Sequence, residues 1–385
     1  MTGSCQLETQ QPQPDDTEIT RDQVQALIQS ARKASEAGDD IILPRLDDGT
    51  DLDQAEKEED DNLEPGYWET SGMAPLNATS LAAVARLRAF KPPPFPLWDR
   101  IHTSRKAAVL LLLYADRRGD LRVVITMRAA SLRSFSGHAA LPGGKADTPE
   151  ETPYQIARRE AFEEIGLPMD DAKLPAPFRI EHLCYLPINL ARTELLVRPC
   201  VALLHTTATG PAPAAPPEVQ DTLIPRLDAK EVAAVFSAPF HNFLLADDEA
   251  PAPAPPPGQW YHGEWTHWND EAWRVHYFGV PVRDQRVVKP RRRRAEVDAE
   301  AAGELEGEEP GRYKVWGMTA RILVDAATIA YAETPEFEHN THFGDERMIL
   351  EIEKLGRLKP KVRAGEEKKE GGEGGKKVGE AESKM

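Results

Sequence analysis

Runs of apolar residues in the middle of the chain predict a sheet, and polar segments flank it. The runs at 107–115 (AAVLLLLYA) and 121–128 (LRVVITMR) are almost continuously apolar, as in strands that helices cover on both faces. The runs at 178–188 (FRIEHLCYLPI), 193–204 (TELLVRPCVALL) and 231–240 (EVAAVFSAPF) predict further strands, the last entering a short helix at 241–245. The expected fold class is therefore α/β.

Apolar residues at helical spacing predict helices on both sides of these strands. Leu81, Val84 and Leu87 share a face of a helix over 80–90, which a proline-rich lead-in then ends. The stretch 314–332 (KVWGMTARILVDAATIAYA) predicts a helix that closes the domain, and 347–358 predicts a last helix.

The clearest helix signal lies at 153–165. Thr152 and Gln155 have the spacing of a capping box, Pro153 suits the first helical position, and Gly166 suits the left-handed residue that ends a helix. The pattern predicts a helix from Pro153 to Ile165, with an apolar face that docks and an acidic face that stays open.

Three glutamates, Glu160, Glu163 and Glu164, crowd this acidic face. Like charges at such spacing repel, and a hard divalent cation such as Mg²⁺ relieves the repulsion. A lone acidic face is usually only solvated. Two further features favour a site for anions and cations together: the upstream pair Gly143 and Gly144, whose backbone can approach an anion closely, and an arginine, Arg159, that is spaced to pair with Glu163.

The segment 144–167 resembles the signature of the Nudix hydrolases, G-x5-E-x7-R-E-U-x-E-E-x-G-U. The residues in place at its end are Arg159, Glu160, Glu163, Glu164, Gly166 and Leu167. The loop holds one extra residue, so that counting back from Arg159 gives Glu151 as the upstream acid, whereas counting forward from Gly144 gives Glu150. Ala161 is smaller than the apolar residue that is usual at its position.

The preceding segment, 124–144 (VITMRAASLRSFSGHAALPGG), resembles a second signature, that of the coenzyme A diphosphatase branch, L-L-T-x-R-[SA]-x3-R-x3-G-x3-F-P-G-G. The residues in register are Thr126, Arg128, Ala129, Arg133, Gly137, Pro142, Gly143 and Gly144. Val124, Ile125 and Leu141 replace other apolar residues, which bears more on substrate fit than on the fold.

The resemblance implies a Nudix α/β/α sandwich with a mixed sheet, disordered N- and C-terminal extensions and two inserted loops. It implies hydrolysis of coenzyme A or its derivatives to 3′,5′-ADP and 4′-phosphopantetheine, with Mg²⁺ or Mn²⁺ bound by Glu160 and Glu164 and helped by Glu163. The catalytic set is Glu163 and Glu160, either of which could be the base, with Arg159 orienting the carboxylates. The candidates for the substrate phosphates are Arg128, Arg133, Gly143, Gly144 and Lys145.

Other interpretations remain open. One is Nudix hydrolysis of oxidised or other nucleoside di- or triphosphates. Another is a non-catalytic binding protein on the same fold, which predicts broken carboxylates where this chain has Glu160, Glu163 and Glu164 intact. Glu231, at the start of a late strand, is a candidate for an additional carboxylate ligand.

The aromatic stretch 259–282 has two interpretations. Its tryptophans and tyrosines are typical of core or hairpin packing, although one ring could stack on an adenine. His262, His267 and His276 lie in this stretch without accompanying cysteines, so we interpret them as structural.

Composition predicts one folded domain with polar additions. The expected division is an acidic extension (1–70), a helix and proline-rich lead-in (71–103), the hydrolase domain (104–345, with insertions at about 208–220 and 285–311) and a helix with a charged tail (346–385). A net charge of −17 argues against nucleic-acid or anionic-membrane partners. The basic run at 289–294 is interpreted as a solvated loop, with a nuclear signal as the alternative.

Location is predicted from the two ends of the chain. The three cysteines, Cys5, Cys184 and Cys200, form no paired framework and indicate free thiols in a reducing compartment. The N-terminus has neither signal-peptide nor transit-peptide character, and no apolar run is long enough for a membrane helix. The final Ser383-Lys384-Met385 resembles the S-K-L address read by the peroxisomal import receptor, which predicts a peroxisomal protein, or otherwise a cytoplasmic one.

Overall fold

Residues 19–20, 75–129, 137–175, 178–206, 231–248, 257–269, 271–282, 287 and 311–360 are described by the structure, which is a computed structural model. Several expectations lie outside these residues. They are the acidic extension apart from Ile19 and Thr20, the insertion at 208–220, the basic run at 289–294, Arg133, Cys5 and the C-terminal tail with Ser383-Lys384-Met385.

The predicted strands of the main sheet and the helices at 80–90 and 153–165 occur in the predicted order, and Ile19–Thr20, Arg312–Trp316 and His342–Phe343 are additional strands. The strands are β1 (Ile19–Thr20), β2 (Lys106–Ala115), β3 (Leu121–Arg128), β4 (Ala139–Ala140), β5 (Gly143–Lys145), β6 (Phe178–Tyr185), β7 (Asn189–Leu190), β8 (Leu196–Thr206), β9 (Val232–Pro239), β10 (Tyr261–Trp268), β11 (Glu271–Pro281), β12 (Arg312–Trp316) and β13 (His342–Phe343). The α-helices are α1 (Ala78–Ala89), α2 (Leu97–Arg100), α3 (Pro153–Ile165), α4 (Gly317–Tyr331) and α5 (Glu346–Lys354). Short 3₁₀ helices cover Thr103–Arg105, Asp171–Lys173 and His241–Leu244.

The main sheet is mixed, as the sequence predicted. Its central path runs β4-β3-β2-β8-β6, with β5 added to β2, β7 to β8 and β9 to β3. The strands β2 and β8 are parallel, whereas β2 pairs with β3 and β5 in antiparallel register. Because β5 is a neighbour of the central strand β2, the backbone of Gly143–Lys145 is held by the most buried part of the sheet.

The two faces of β2 are buried under different helices. Side chains alternate along a strand, so Ala108, Leu110 and Leu112 face one side, and Leu111 and Leu113 face the other. The first set packs with the apolar side of α3. The second set packs with α1, α4 and the aromatic residues of the second sheet. This is the α/β/α arrangement that the near-continuous apolar runs predicted.

The predicted helix over 80–90 is present, but its buried face differs from the predicted one. Ser80, Ala83, Val84 and Leu87 are buried, whereas Leu81 is 42% exposed. The buried residues follow the i, i+3, i+4, i+7 spacing of one helical stripe, and Leu81 lies beside that stripe rather than on it.

The stretch 314–332 was predicted entirely as helix, but its first residues belong to a strand. Lys314 and Trp316 pair with Gly279 and Tyr277 of β11, and the helix α4 begins only at Gly317. Gly317 has a φ of 64°, a conformation that side chains disfavour and that permits the sharp change from strand to helix.

A second, antiparallel sheet, β10-β11-β12, is formed largely by the aromatic stretch. The hairpin interpretation of that stretch is therefore confirmed. Its buried His276 contacts the Tyr261 hydroxyl (3.1 Å) and His339 (2.9 Å), as expected of a structural histidine, whereas His262 and His267 are exposed. The strand β12 contacts β4, so this sheet lies beside the residues that lead into Gly143.

Candidate active site

The helix α3 has the predicted bounds because each predicted cap forms. The Thr152 hydroxyl accepts from the Gln155 backbone N–H (3.2 Å), and the Gln155 side chain accepts from the Thr152 N–H (2.8 Å). Gly166 ends the helix at a φ of 73°. Buried Ala157 and Ala161 let the helix approach β2 closely, which brings Glu160 and Glu164 on the same helix against the sheet.

The acidic face of α3 is not uniformly open, which corrects the expectation. Glu164 is buried (5% exposed), the Glu160 side chain is 16% exposed, and the Glu163 side chain is 49% exposed. Glu160 and Glu164, four residues apart, both turn toward β5. The difference arises because β5 lies against this side of the helix, whereas Glu163 points past it.

The glycine pair of β5 receives these two carboxylates. The Gly143 backbone N–H donates to Glu164 Oε2 at 3.2 Å. A Cβ atom on Gly144 would lie 2.5 Å from both carboxylate oxygens of Glu160, so only glycine leaves room for that group. The sequence predicted that these glycines would approach an anion, and the anions that they approach in the structure are the protein's own carboxylates.

Burial makes the carboxyl groups of Glu160 and Glu164 weaker acids than that of an ordinary glutamate. Burial raises the pKa of Glu164 to about 8, against the hydrogen bond from Gly143 and with a further increase from the charge of Glu160. Burial likewise raises the pKa of Glu160 to about 7, although Arg159 opposes the increase. Two buried carboxylates that repel each other are stabilised by a cation.

Arg159 connects the helix to the loop before it. Its guanidinium contacts four carboxylates: those of Glu151 (2.7 Å), Glu160 (3.1 Å), Glu163 (3.3 Å) and Asp147 (3.5 Å). It also donates to the backbone carbonyl of Lys145 at 2.8 Å. The predicted pairing with Glu163 is present, but the shortest ion pair is with Glu151. These contacts hold the loop carboxylates and Glu160 around one guanidinium group.

The extra residue in the loop is accommodated before Glu151. Glu151 accepts from the Asp147 (2.7 Å) and Thr148 (3.3 Å) backbone N–H groups as well as from Arg159, whereas Glu150 is exposed. Burial would raise the pKa of Glu151, but these hydrogen bonds outweigh it and the pKa is lowered. Of the two candidates that the sequence left open, Glu151 occupies the position beside Arg159.

The remaining candidates differ in their placement. Arg128, at the end of β3, is close enough for its charge to lower the pKa of Glu164, and its buried Nε has no hydrogen-bond partner among the described residues. The charge of Glu231 raises the pKa of both Glu160 and Glu164, so this carboxylate also lies near the pair. Lys145 takes part through its backbone, and its side chain is exposed.

Two further residues beside Arg128 were not predicted from the sequence. Burial lowers the pKa of His138, and the charges of Lys314 and Arg128 lower it further; β12, which carries Lys314, contacts β4 directly after His138. Lys314 lies 186 positions beyond Arg128 in the chain, and only the pairing of the second sheet brings it here. The available signal was the spacing of Lys314 and Trp316, two residues apart, which places both on one face of a strand.

The donor set of the site fits a divalent cation. Within the described ranges, no three His, Cys, Asp or Glu side chains already form a cluster that could hold a metal ion. However, the paired oxygens of Glu160 and Glu164 are of the hard type that Mg²⁺ and Mn²⁺ bind, and a bound cation would stabilise the ionised form of the two carboxyls, which burial disfavours. Glu163, predicted to help, is turned away toward Arg159.

Comparison with known proteins agrees with this geometry. The NUDIX domain model matches residues 104–251, from the start of β2 past the 3₁₀ turn after β9. The "Uncharacterized Nudix hydrolase NudL" of Cronobacter sakazakii is 30% identical over a region that covers 46% of this chain and 75% of that protein. The chain belongs to the Nudix family. As a Nudix hydrolase it acts on diphosphate bonds.

Two other Nudix relatives align over more of the chain. "Peroxisomal coenzyme A diphosphatase 1, peroxisomal" of Saccharomyces cerevisiae is 29% identical, with 59% of this chain and 69% of that protein covered. "Nudix hydrolase 22, chloroplastic" of Arabidopsis thaliana is 30% identical, with 66% of each chain covered. The chain thus spans about two thirds of the length of these relatives. In the described part of the Nudix chain, no helix has the length and apolarity needed to cross a bilayer.

Proposed function

We propose that the protein hydrolyses the diphosphate bond of coenzyme A and its derivatives, giving 3′,5′-ADP and 4′-phosphopantetheine. The observation that carries the proposal is the contact of Glu160 and Glu164 with the Gly143–Gly144 backbone, with Arg128 close enough for its charge to act on Glu164. The carboxylates could bind a metal ion, and the nearby Arg128 guanidinium could bind a substrate phosphate.

The carboxylates of Glu160 and Glu164 would hold a divalent cation, Mg²⁺ or Mn²⁺, which when bound neutralises charge on the diphosphate and lowers the pKa of a water molecule. Glu231 is near enough to contribute. The water attacks one phosphorus, the bridging P–O bond breaks, and the leaving phosphate takes the electron pair. Arg159 fixes the orientation of Glu160 during this reaction.

The base that takes the proton from the water is Glu163 or Glu160. Glu163 is partly exposed and bonded to Arg159, so it can exchange protons with solvent. Glu160, with a pKa of about 7, has the matched pKa of a general base at neutral pH, but a carboxylate that binds a cation is less available as a base. We favour Glu163 and keep Glu160 as the alternative.

The substrate class rests on the segment from Thr126 to Gly144. Three residues that match the coenzyme A signature lie at the site: Arg128 ends β3, and Gly143 and Gly144 begin β5. Arg128 and Arg133 are the proposed ligands of the substrate phosphates, with Lys145 at the rim. The relative from Saccharomyces cerevisiae is named as a coenzyme A diphosphatase, which supports this substrate.

We also propose that the protein is peroxisomal and reaches the organelle through Ser383-Lys384-Met385 and the import receptor. The relative from Saccharomyces cerevisiae is named as peroxisomal, which supports this location, whereas the relative from Arabidopsis thaliana is named as chloroplastic. Deletion of the final three residues from a fluorescently tagged protein tests the proposal. Retention of peroxisomal signal after the deletion would contradict it.

Steady-state kinetics with Mg²⁺ on coenzyme A, dephospho-coenzyme A, NADH and 8-oxo-dGTP test the substrate assignment. We expect the highest kcat/KM for coenzyme A, by at least about tenfold, because the signature residues recognise its phosphates. A higher kcat/KM for 8-oxo-dGTP would favour nucleotide hydrolysis instead. No turnover of any of the four would favour a non-catalytic binding protein.

A further inference from the structure

Three rings on neighbouring strands of the second sheet form a continuous stack. His262, Tyr277 and Trp316 are direct partners in the registers of β10 with β11 and of β11 with β12. The His262 and Tyr277 rings are 4.3 Å apart and 2° from parallel, and the Tyr277 and Trp316 rings are 5.6 Å apart and 5° from parallel. We call these three residues the ring ladder. Unlike the buried rings of Phe278 and Trp260, those of the ring ladder are exposed or half-buried.

A lysine lies over the ring ladder. The Nζ atom of exposed Lys314 is 4.7 Å from the centre of the Tyr277 ring and 5.5 Å from that of Trp316. Across the described ranges, Lys314 forms no ion pair with a carboxylate. Among the described side chains, its ammonium group therefore contacts ring faces and no carboxylate, and a phosphate that reaches this exposed group would form a stronger, charge-assisted pair.

The ring ladder leads directly to the carboxylate site. At its inner end, Trp316 meets the edge of the His138 ring at 5.0 Å. The His138 carbonyl accepts from the Arg128 backbone N–H at 3.0 Å, and the charge of Arg128 acts on Glu164. Burial lowers the pKa of His138, and the charges of Lys314 and Arg128 lower it further. This surface offers flat rings and positive charge next to the diphosphate site.

We propose that the ring ladder and Lys314 form the subsite for the 3′-phosphorylated adenosine end of the substrate. The base packs on the Tyr277 and Trp316 rings in the place that the Lys314 ammonium group occupies in the free protein, and the ammonium group pairs with the 3′-phosphate. This inference rests on the proposed function, because coenzyme A carries a phosphorylated purine nucleoside on one side of the diphosphate.

The test compares Lys314→Met with Lys173→Met, which removes another exposed lysine from the 3₁₀ turn at Asp171–Lys173. For Lys314→Met we expect the KM for coenzyme A to rise about tenfold and the KM for dephospho-coenzyme A to change less than about threefold. The Lys173→Met control should match the wild type on both substrates. Equal changes on the two substrates would overturn the role of Lys314.

The ring ladder is tested by Tyr277→Leu and His262→Ala, with thermal melting to verify the fold. Loss of stacking raises the KM for both substrates by about ten- to hundredfold for Tyr277→Leu and less for His262→Ala. If Tyr277→Leu does not fold, the His262→Ala variant is the test: a higher KM for both substrates supports the role of the rings, and an unchanged KM contradicts it. Unchanged KM values in the folded variants would overturn the role of the rings.

A binding measurement separates this subsite from the proposed activity. Calorimetry on the wild type should show tighter binding of 3′,5′-ADP than of 5′-AMP, and Lys314→Met should remove the difference. If coenzyme A is not cleaved but this preference is found and lost in the variant, the proposed function fails and the subsite stands. If coenzyme A is cleaved but no preference is found, the subsite fails and the function stands.

Discussion

The carboxylate of Glu160 lies directly against the α-carbon of Gly144, where a Cβ atom would come within 2.5 Å of both of its oxygens. The contact joins the middle of α3 to β5. The preceding residue, Gly143, must be glycine for a different reason. A Cβ atom there would lie 2.6 Å from the backbone atom Val109 Cα, and the φ of Gly143 is 154°. One glycine therefore makes room for a reactive group, and the other makes room for the sheet.

Gly144→Ala should abolish most activity while the protein stays folded. The added methyl group meets only the flexible end of Glu160, so the carboxylate moves and stability falls by about 1 kcal/mol or less. We expect kcat to fall about a hundredfold.

The matched variant is Gly143→Ala, which should cost about 2 to 3 kcal/mol of unfolding free energy because backbone cannot yield. Chemical denaturation and steady-state kinetics on both variants provide the comparison. A fully active Gly144→Ala would show that Glu160 is not held at this position for function.

Arg159→Lys should lower kcat/KM about ten- to hundredfold. Lysine keeps the charge but cannot contact Glu151, Glu160 and the Lys145 carbonyl with one planar group, so Glu160 loses its fixed orientation.

Arg88→Lys is the control, because Arg88 makes a bidentate pair with Glu181 at 2.7 and 2.9 Å on the exposed surface. That variant should retain full activity. Equal losses in the two variants would mean that arginine at 159 has only a general structural role.

The sequence was most informative where local chemistry decides the structure. The caps at Thr152 and Gly166 involve residues close in sequence, and the helix between them was predicted to the residue. The buried β2 and β3 were predicted for a similar reason, because strands covered on both faces are apolar throughout.

The sequence was least informative where distant segments meet. Spacing on α3 showed that Glu160, Glu163 and Glu164 are neighbours, but not that β5 would bury two of them and leave Glu163 outside. Lys314 was assigned to a helix because its pairing with β11 cannot be deduced from local pattern. Tertiary pairing outweighed local propensity at that position.

Metal binding should stabilise the fold more at high pH. In the folded protein Glu164 and Glu160 have pKa values of about 8 and about 7, against 4.5 for an ordinary glutamate, so between pH 4.5 and these values the folded state binds more protons than the unfolded state. The metal-free fold therefore loses stability as pH rises through this range, and ionisation makes the pair ready for a cation.

The measurement is the rise in Tm on adding millimolar MgCl₂ at about pH 6 and about pH 8, with NaCl at equal ionic strength as the control. The rise should be larger at about pH 8, and Glu164→Gln should remove it at both pH values. A rise that is independent of pH and of Glu164 would place the metal elsewhere.

Measurements of activity and of metal binding on the same variants should distinguish Glu163 from Glu160 as the base. Glu163→Gln should lower kcat by about a hundredfold or more and leave the Mg²⁺-induced rise in Tm intact, because Glu163 faces Arg159 and solvent. Glu160→Gln should lower kcat and also remove the Mg²⁺-induced rise in Tm. If Glu163→Gln keeps wild-type kcat, Glu160 becomes the assigned base.

The central claim is that buried Glu164 belongs to a site that cleaves coenzyme A at its diphosphate. The most direct measurement is chromatography of the products after the wild type and Glu164→Gln are incubated with coenzyme A and Mg²⁺. We predict 3′,5′-ADP and 4′-phosphopantetheine in equal amounts from the wild type, and at least a hundredfold less from the variant. Intact coenzyme A with the wild type, or equal product from a folded Glu164→Gln, would contradict the account.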